Sequence, residues 1–179
     1  SEPCAPLMVC GTQDKNAAYA RELGLPEILL IDTGHPAGLR MVERGGFGDP
    51  HDLKHRALLI ECGQHWEAAA ADVAHDAMVR FLGLAGLADA AWVQANVRRP
   101  LPEKQRLLRV TEPVVARSKD FRFLVPTVGL SVIAKAGTPI AQDREHVFVT
   151  PYDDTVLVMP GTNNLQPGGT AVRLGRFEE

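Results

Sequence analysis

The stretch richest in chemistry is Ala57-Leu58-Leu59-Ile60-Glu61-Cys62-Gly63-Gln64-His65-Trp66-Glu67. Four apolar residues of strand type run straight into a carboxylate, which predicts Glu61 at the C-terminal end of a buried strand. In open α/β sheets that edge is where ligands bind. Partial burial there would raise the glutamate pKa toward the range of a general base or acid. Gly63 would let a substrate or a neighbouring backbone come close. The same pattern also suits a carboxylate that caps the next helix or pairs with a buried arginine. His65 and Trp66 would line such a pocket, or else pack the first helical turn.

Other groups invite the same question. His35 follows Asp32-Thr33-Gly34 and falls at the same predicted sheet edge. His51 and His55 are spaced i, i+4, as zinc-ligand pairs on a helix can be. Pro50 precedes them and a strand follows at once, so a solvated loop is the expectation. His75 and His146 read as structural. Cys62 could act as a nucleophile, although an aliphatic flank more often marks an inert thiol. The glycines of Gly45-Gly46-Phe47-Gly48 and of residues 161–169 lack the lysine and helix start of a phosphate loop.

The elements that must hold these groups change character along the chain. Residues 7–10, 27–31 and 57–60 are short apolar strand candidates. Residues 16–23 read as a helix stopped by Gly24 and Pro26. A second helix spans about residues 67–82, with Val73, Ala77 and Phe81 in one apolar stripe and Ala74 and Met78 beside them. Fully apolar strands alternating with helices predict an α/β domain over residues 1–97. Residues 98–106 are charged, carry Pro100 and Pro102, and read as a linker.

Beyond the linker, residues 107–179 read as all-β, with strands at 108–111, 114–117, 121–125, 131–134, 146–150, 156–159 and 171–174. Ala136-Gly137-Thr138-Pro139-Ile140-Ala141 resembles Gly168-Gly169-Thr170-Ala171-Val172. Two hairpin-sized units of this kind predict a small barrel-sandwich domain. It lacks the Met-Lys-Met hairpin of biotin carriers, since Val147-Phe148-Val149-Thr150 stands where that lysine would fall.

At 179 residues the chain can bury a real core. A net charge of -3 supplies no field for nucleic acid or anionic lipid, so neither is an expected partner. No apolar run approaches the ~20 residues that cross a bilayer. Three cysteines in no CxxC pairing suggest reduced thiols and a cytoplasmic location. An upstream portion is expected, because the chain opens without Met.

Taken together, several of these stretches resemble the succinylglutamate desuccinylase/aspartoacylase family. Glu61-Cys62-Gly63 after an aliphatic strand is similar to the family's Glu-x-Gly strand end. Leu82-Gly83-Leu84 after the helix follows the family's order. The opening Ser1-Glu2-Pro3-Cys4-Ala5-Pro6-Leu7-Met8 resembles the stretch just after its Asp-x-His zinc-ligand segment. Ala136-Gly137-Thr138-Pro139-Ile140-Ala141 resembles part of its C-terminal domain.

The resemblance implies the C-terminal part of a zinc carboxypeptidase-like fold, followed by the barrel-sandwich. It implies hydrolysis of an amide or ester bond in an N-acyl amino acid-like small molecule. Zinc would polarise the carbonyl and activate a water, and Glu61 would take the water's proton. On the family's layout the metal ligands lie upstream of Ser1, so this chain alone should hold no catalytic zinc and be inactive. Arg40 and Arg44 are the candidates for binding a substrate carboxylate, by the bidentate geometry of guanidinium. Each could equally be a surface arginine. A sheet lacking its first strands would expose an edge, so a homo-oligomer is expected. Two other readings stay open: a non-enzymatic, protein-binding barrel-sandwich module, and a metal-independent hydrolase using Cys62.

Overall fold

The computed structural model describes residues 4–32 and 39–178. His35 lies outside the described residues. The chain divides into two compact units, one built on Pro6–Leu108 and the other on Arg109–Glu178.

In the first unit, β1 (Leu7–Val9) leads into helix α1 (Asp14–Leu23), which returns to β2 (Ile28–Ile31). The two strands are parallel, with Leu7 beside Ile28 and Val9 beside Leu30. All seven of their residues are buried. A helical crossover between adjacent parallel strands demands such apolar runs, because both faces of the sheet become covered. Ala17, Ala20 and Leu23 of α1 pack on Met8, Cys10, Leu29 and Ile31. Gly24 ends the helix in the left-handed region at φ 82°, and its N–H bonds back to the Ala20 carbonyl.

A 3₁₀ turn (Met41–Glu43) and the single turn α2 (Gly45–Gly48) follow, before β3 (Leu59–Glu61). β3 runs antiparallel to β1 and occupies the outer position beside it. α3 (Ala68–Leu84) and α4 (Ala90–Asn96) complete the unit. The helix over residues 67–82 is present, but its buried face differs from the expected stripe. Val73 and Ala77 face inward, whereas Phe81 is 37% and Met78 55% exposed. Asp76 takes a place on the buried face at 2% exposure. Its carboxylate accepts the backbone N–H groups of Arg98 and Arg99, each at 2.9 Å. Hydrogen bonds of that kind permit a carboxylate where an apolar side chain was expected.

In the second unit, β4 (Arg106–Val115), β10 (Thr170–Glu178), β9 (Thr155–Val158) and β6 (Val132–Ile133) lie in that order. The first residues of β4 belong to the preceding unit. β5 (Arg122–Phe123), β7 (Pro139–Asp143) and β8 (His146–Val149) form a second sheet. One buried cluster draws Phe121, Ile140 and Ala141 together with Val114, Leu157, Ala171, Val172 and Leu174. The two similar segments therefore give one strand to each sheet, β7 and β10, and meet in one core. Among the described residues both sheets are open and no closed barrel forms. The expected strands at 108–111 and 114–117 are one strand that runs on through Pro113.

Candidate functional site

Glu61 is the last residue of β3 and is exposed. The burial expected to perturb its carboxylate is absent, because β3 is an outer strand and its end meets solvent. Across the ladder Glu61 faces Leu7, the first residue of β1. After it, Gly63 adopts φ 118°, a conformation L side chains rarely take, and turns the chain toward α3. His65 and Trp66 lie in that turn and are exposed, Trp66 by 71%. Cys62 is half-buried between them and Glu61.

The antiparallel course of β3 corrects the expected constellation. β1 and β2 both deliver their C-terminal ends, Cys10 and Asp32, to one edge of the sheet. Glu61 lies at the other edge, beside the start of β1. Since Leu7 pairs with Ile28, Glu61 and Asp32 are separated by about 13 Å along the strands, at ~3.3 Å per residue. Glu61, His65 and Trp66 are together, and the connection after β2 is apart from them.

That connection holds Arg40 and Arg44. Arg40 Nη2 lies 3.0 Å from Asp32 Oδ2 and 3.5 Å from Glu43 Oε1. Its backbone N–H donates to Glu43 Oε2 at 2.9 Å. Asp32 is 2% exposed, so this guanidinium already balances buried carboxylate charge. Arg44 is exposed and donates from Nε to the Leu39 carbonyl at 3.3 Å. The two arginines thus stand in different environments.

The remaining histidines do not form a cluster. His51 sits in a turn, its N–H donating to Asp49 Oδ1 at 2.9 Å. His55 Nδ1 is 2.6 Å from Asp52 Oδ2. Hydrogen bonds from the His55 ring and N–H hold the Asp52 carboxyl at about 2. His75 contacts Asp76, and His146 stacks edge-on against Phe148. Among the described residues no three His, Cys, Asp or Glu side chains are placed to hold a metal. A catalytic zinc takes three protein ligands, so these residues do not fit one.

Neither Cys10 nor Cys62 is an activated thiol. Burial raises the Cys62 pKa, with the nearby Glu61 charge adding to the effect. Burial pushes Cys10 up to about 12, against a smaller opposing pull from Arg21. Among the described residues nothing hydrogen-bonds the Cys62 thiol, as a base-activated nucleophile would require.

Two residues that organise this unit carried little signal in the sequence. They are Asp76 and Lys15, neither of which the sequence singles out. Their partners are backbone groups 22 to 40 residues away, which spacing along the chain does not reveal.

No protein-family model and no curated protein matches the chain by sequence. Solved structures do match it by fold. Succinylglutamate desuccinylase from Vibrio parahaemolyticus superposes with a TM-score of 0.65 at 14% identity, over 100% of this chain and 52% of its own. A succinylglutamate desuccinylase/aspartoacylase from Rhodobacter sphaeroides gives 0.60 at 14% identity, over 99% and 55%. Murine aminoacylase 3 gives 0.50 at 12% identity, over 98% and 59%. The chain has the fold of about half of each of these proteins.

Proposed function

From that shared fold, we propose that the chain is part of a zinc-dependent hydrolase cleaving an amide or ester bond of an N-acyl amino acid-like small molecule. The observation that carries this reading is fold likeness along the whole chain to three proteins that bear desuccinylase, aspartoacylase or aminoacylase names. Because the chain spans about half of each, the activity is proposed for a longer polypeptide and the present chain alone is read as inactive. The zinc is assigned to ligands outside the described residues.

Within this chain Glu61 is the proposed acid–base residue. Its exposed position at a strand end leaves the carboxylate free to accept a proton and pass it to a leaving amine. His65 and Trp66, in the turn beside it, are its proposed substrate neighbours. Arg44, exposed in the connection apart from Glu61, is the arginine proposed to meet a substrate carboxylate distant from the reacting bond, since Arg40 is engaged by Asp32 and Glu43. The second unit is read as a barrel-sandwich, on the strength of two sheets sharing one core. A cytoplasmic homo-oligomer is in keeping with the reduced thiols of Cys10 and Cys62 and an outer strand.

The test is zinc analysis and hydrolysis of a panel of N-acyl amino acids, on this chain and on a form extended to the length of the matched structures. The extended form should bind about one zinc per chain and hydrolyse a member of the panel, while this chain does neither. A zinc-loaded extended form that hydrolyses none overturns the reading. Stoichiometric zinc on this chain overturns the assignment of the ligands and returns His51, His55 and His65 to consideration.

A further inference from the structure

Between β2 and β3, residues 46–55 wrap around one charged group. Lys15, near the start of α1, directs its ammonium into this connection. Nζ donates to the carbonyl oxygens of Gly46 at 2.6 Å, Asp52 at 2.7 Å and His55 at 3.0 Å. An ammonium has three N–H donors and no acceptor, so three carbonyls satisfy it completely. The backbone here presents oxygen atoms inward, as it does around a bound cation.

The surrounding side chains close the cradle. Asp52 Oδ1 accepts the N–H groups of Lys54 and His55, and Oδ2 meets the His55 ring. A Cβ on Gly46 would come within 2.5 Å of Asp52 Oδ2 and 2.8 Å of His55 Nδ1. A Cβ on Gly48 would overlap the Glu43 carbonyl. Gly46 and Gly48 thus permit the backbone to wrap the lysine. Through Gly48 the wrap reaches Glu43, and Glu43 binds Arg40.

We propose that the carbonyls of Gly46, Asp52 and His55 form a cation site whose resident ligand is the Lys15 ammonium, and that this site sets the conformation of the connection bearing Arg40 and Arg44. The inference goes beyond the proposed hydrolase and stands or falls separately, because its test reads the connection and not the reaction.

Lys15→Ala removes the side chain beyond Cβ, which n-propylammonium can replace. Amide hydrogen exchange over residues 44–56 should accelerate at least about tenfold in the variant, the scale of losing one charge-assisted hydrogen bond. Amides of β1 and β2 should keep their protection. Added n-propylammonium should restore the slow exchange, whereas tetramethylammonium, which has no N–H, should not. Unchanged exchange in Lys15→Ala, or equal rescue by both ions, overturns the proposal. A readout on the unaltered chain covers the case of a variant that does not fold. The Lys15 ammonium should give a slowly exchanging ¹H–¹⁵N signal near neutral pH, unlike that of exposed Lys119. Loss of that distinction overturns the proposal equally.

Discussion

Glu61 faces Leu7 across the antiparallel ladder of β1 and β3, which sets it at the opposite end of the sheet from Asp32. This relationship divides the unit's polar chemistry in two. One edge offers an exposed carboxylate with His65 and Trp66. The other holds an arginine between buried Asp32 and partly buried Glu43, so substitutions there should bear on stability more than those around Glu61.

Glu61→Gln should separate chemistry from folding. The side chain is exposed, so its replacement should change unfolding free energy by no more than about 0.5 kcal/mol. In a zinc-loaded, extended form the same change should lower kcat by about 100-fold or more, as expected for a lost general acid–base. A kcat close to the parent value would remove Glu61 from the reaction.

Asp32→Ala should be severe by comparison. It strips Arg40 of the acid at 3.0 Å and leaves a largely buried guanidinium short of countercharge. Breaking a buried pair from one side costs about 3–5 kcal/mol. Urea denaturation followed by circular dichroism measures this, and a loss under about 1 kcal/mol would show that the pair is not structural.

Asp76 supplies a pH dependence whose sign is fixed. Burial works to raise its pKa, but the N–H of Arg98, the His75 ring and the N–H of Arg99 outweigh it and hold the carboxyl below the usual range. A group depressed in the folded state stabilises fully above its unfolded pKa, about 3.9, and that stabilisation is lost as pH falls through the folded value. Asp76→Asn should therefore be less stable than the parent at pH 7, by about 1–3 kcal/mol for imperfectly replaced hydrogen bonds. The gap should close as denaturation is repeated at lower pH through the range below about 4. A gap independent of pH would contradict the assignment.

The thiols should be slow to react. With iodoacetamide near neutral pH, Cys10 should remain unmodified while the chain is folded, and Cys62 should react more slowly than free cysteine. Both follow from thiol pKa values raised by burial. Rapid, selective labelling of Cys62 would revive a thiol hydrolase.

What the sequence disclosed follows from how local its signals are. β1, α1 and β2 were readable because each apolar run is buried on every side and Gly24 is an unambiguous stop. α3 was readable as a helix, but its inward face was not. Met78 and Phe81 look apolar in sequence, whereas Asp76 turns inward only because amides from residues 98 and 99 come to meet it. The direction of β3 was hidden, since parallel and antiparallel strands share one side-chain period. That single unknown decided whether Glu61 stands near Asp32. α4 carried a signal that went unused, Asp89 capping the N–H of Trp92 at 2.7 Å. Separate strands were expected at 108–111 and 114–117, where β4 runs continuously.

Arg98 and Arg99, followed by Pro100, look like an exposed dibasic stretch open to trypsin-like enzymes. Such enzymes must draw several residues into extended form, with their amides free to pair with the enzyme's own backbone. Asp76 already holds the amides of both arginines. Scission between Arg98 and Arg99 therefore has to wait until that carboxylate lets go, and only acid strong enough to protonate a carboxyl held below the usual range loosens the hold without touching the peptide bond itself.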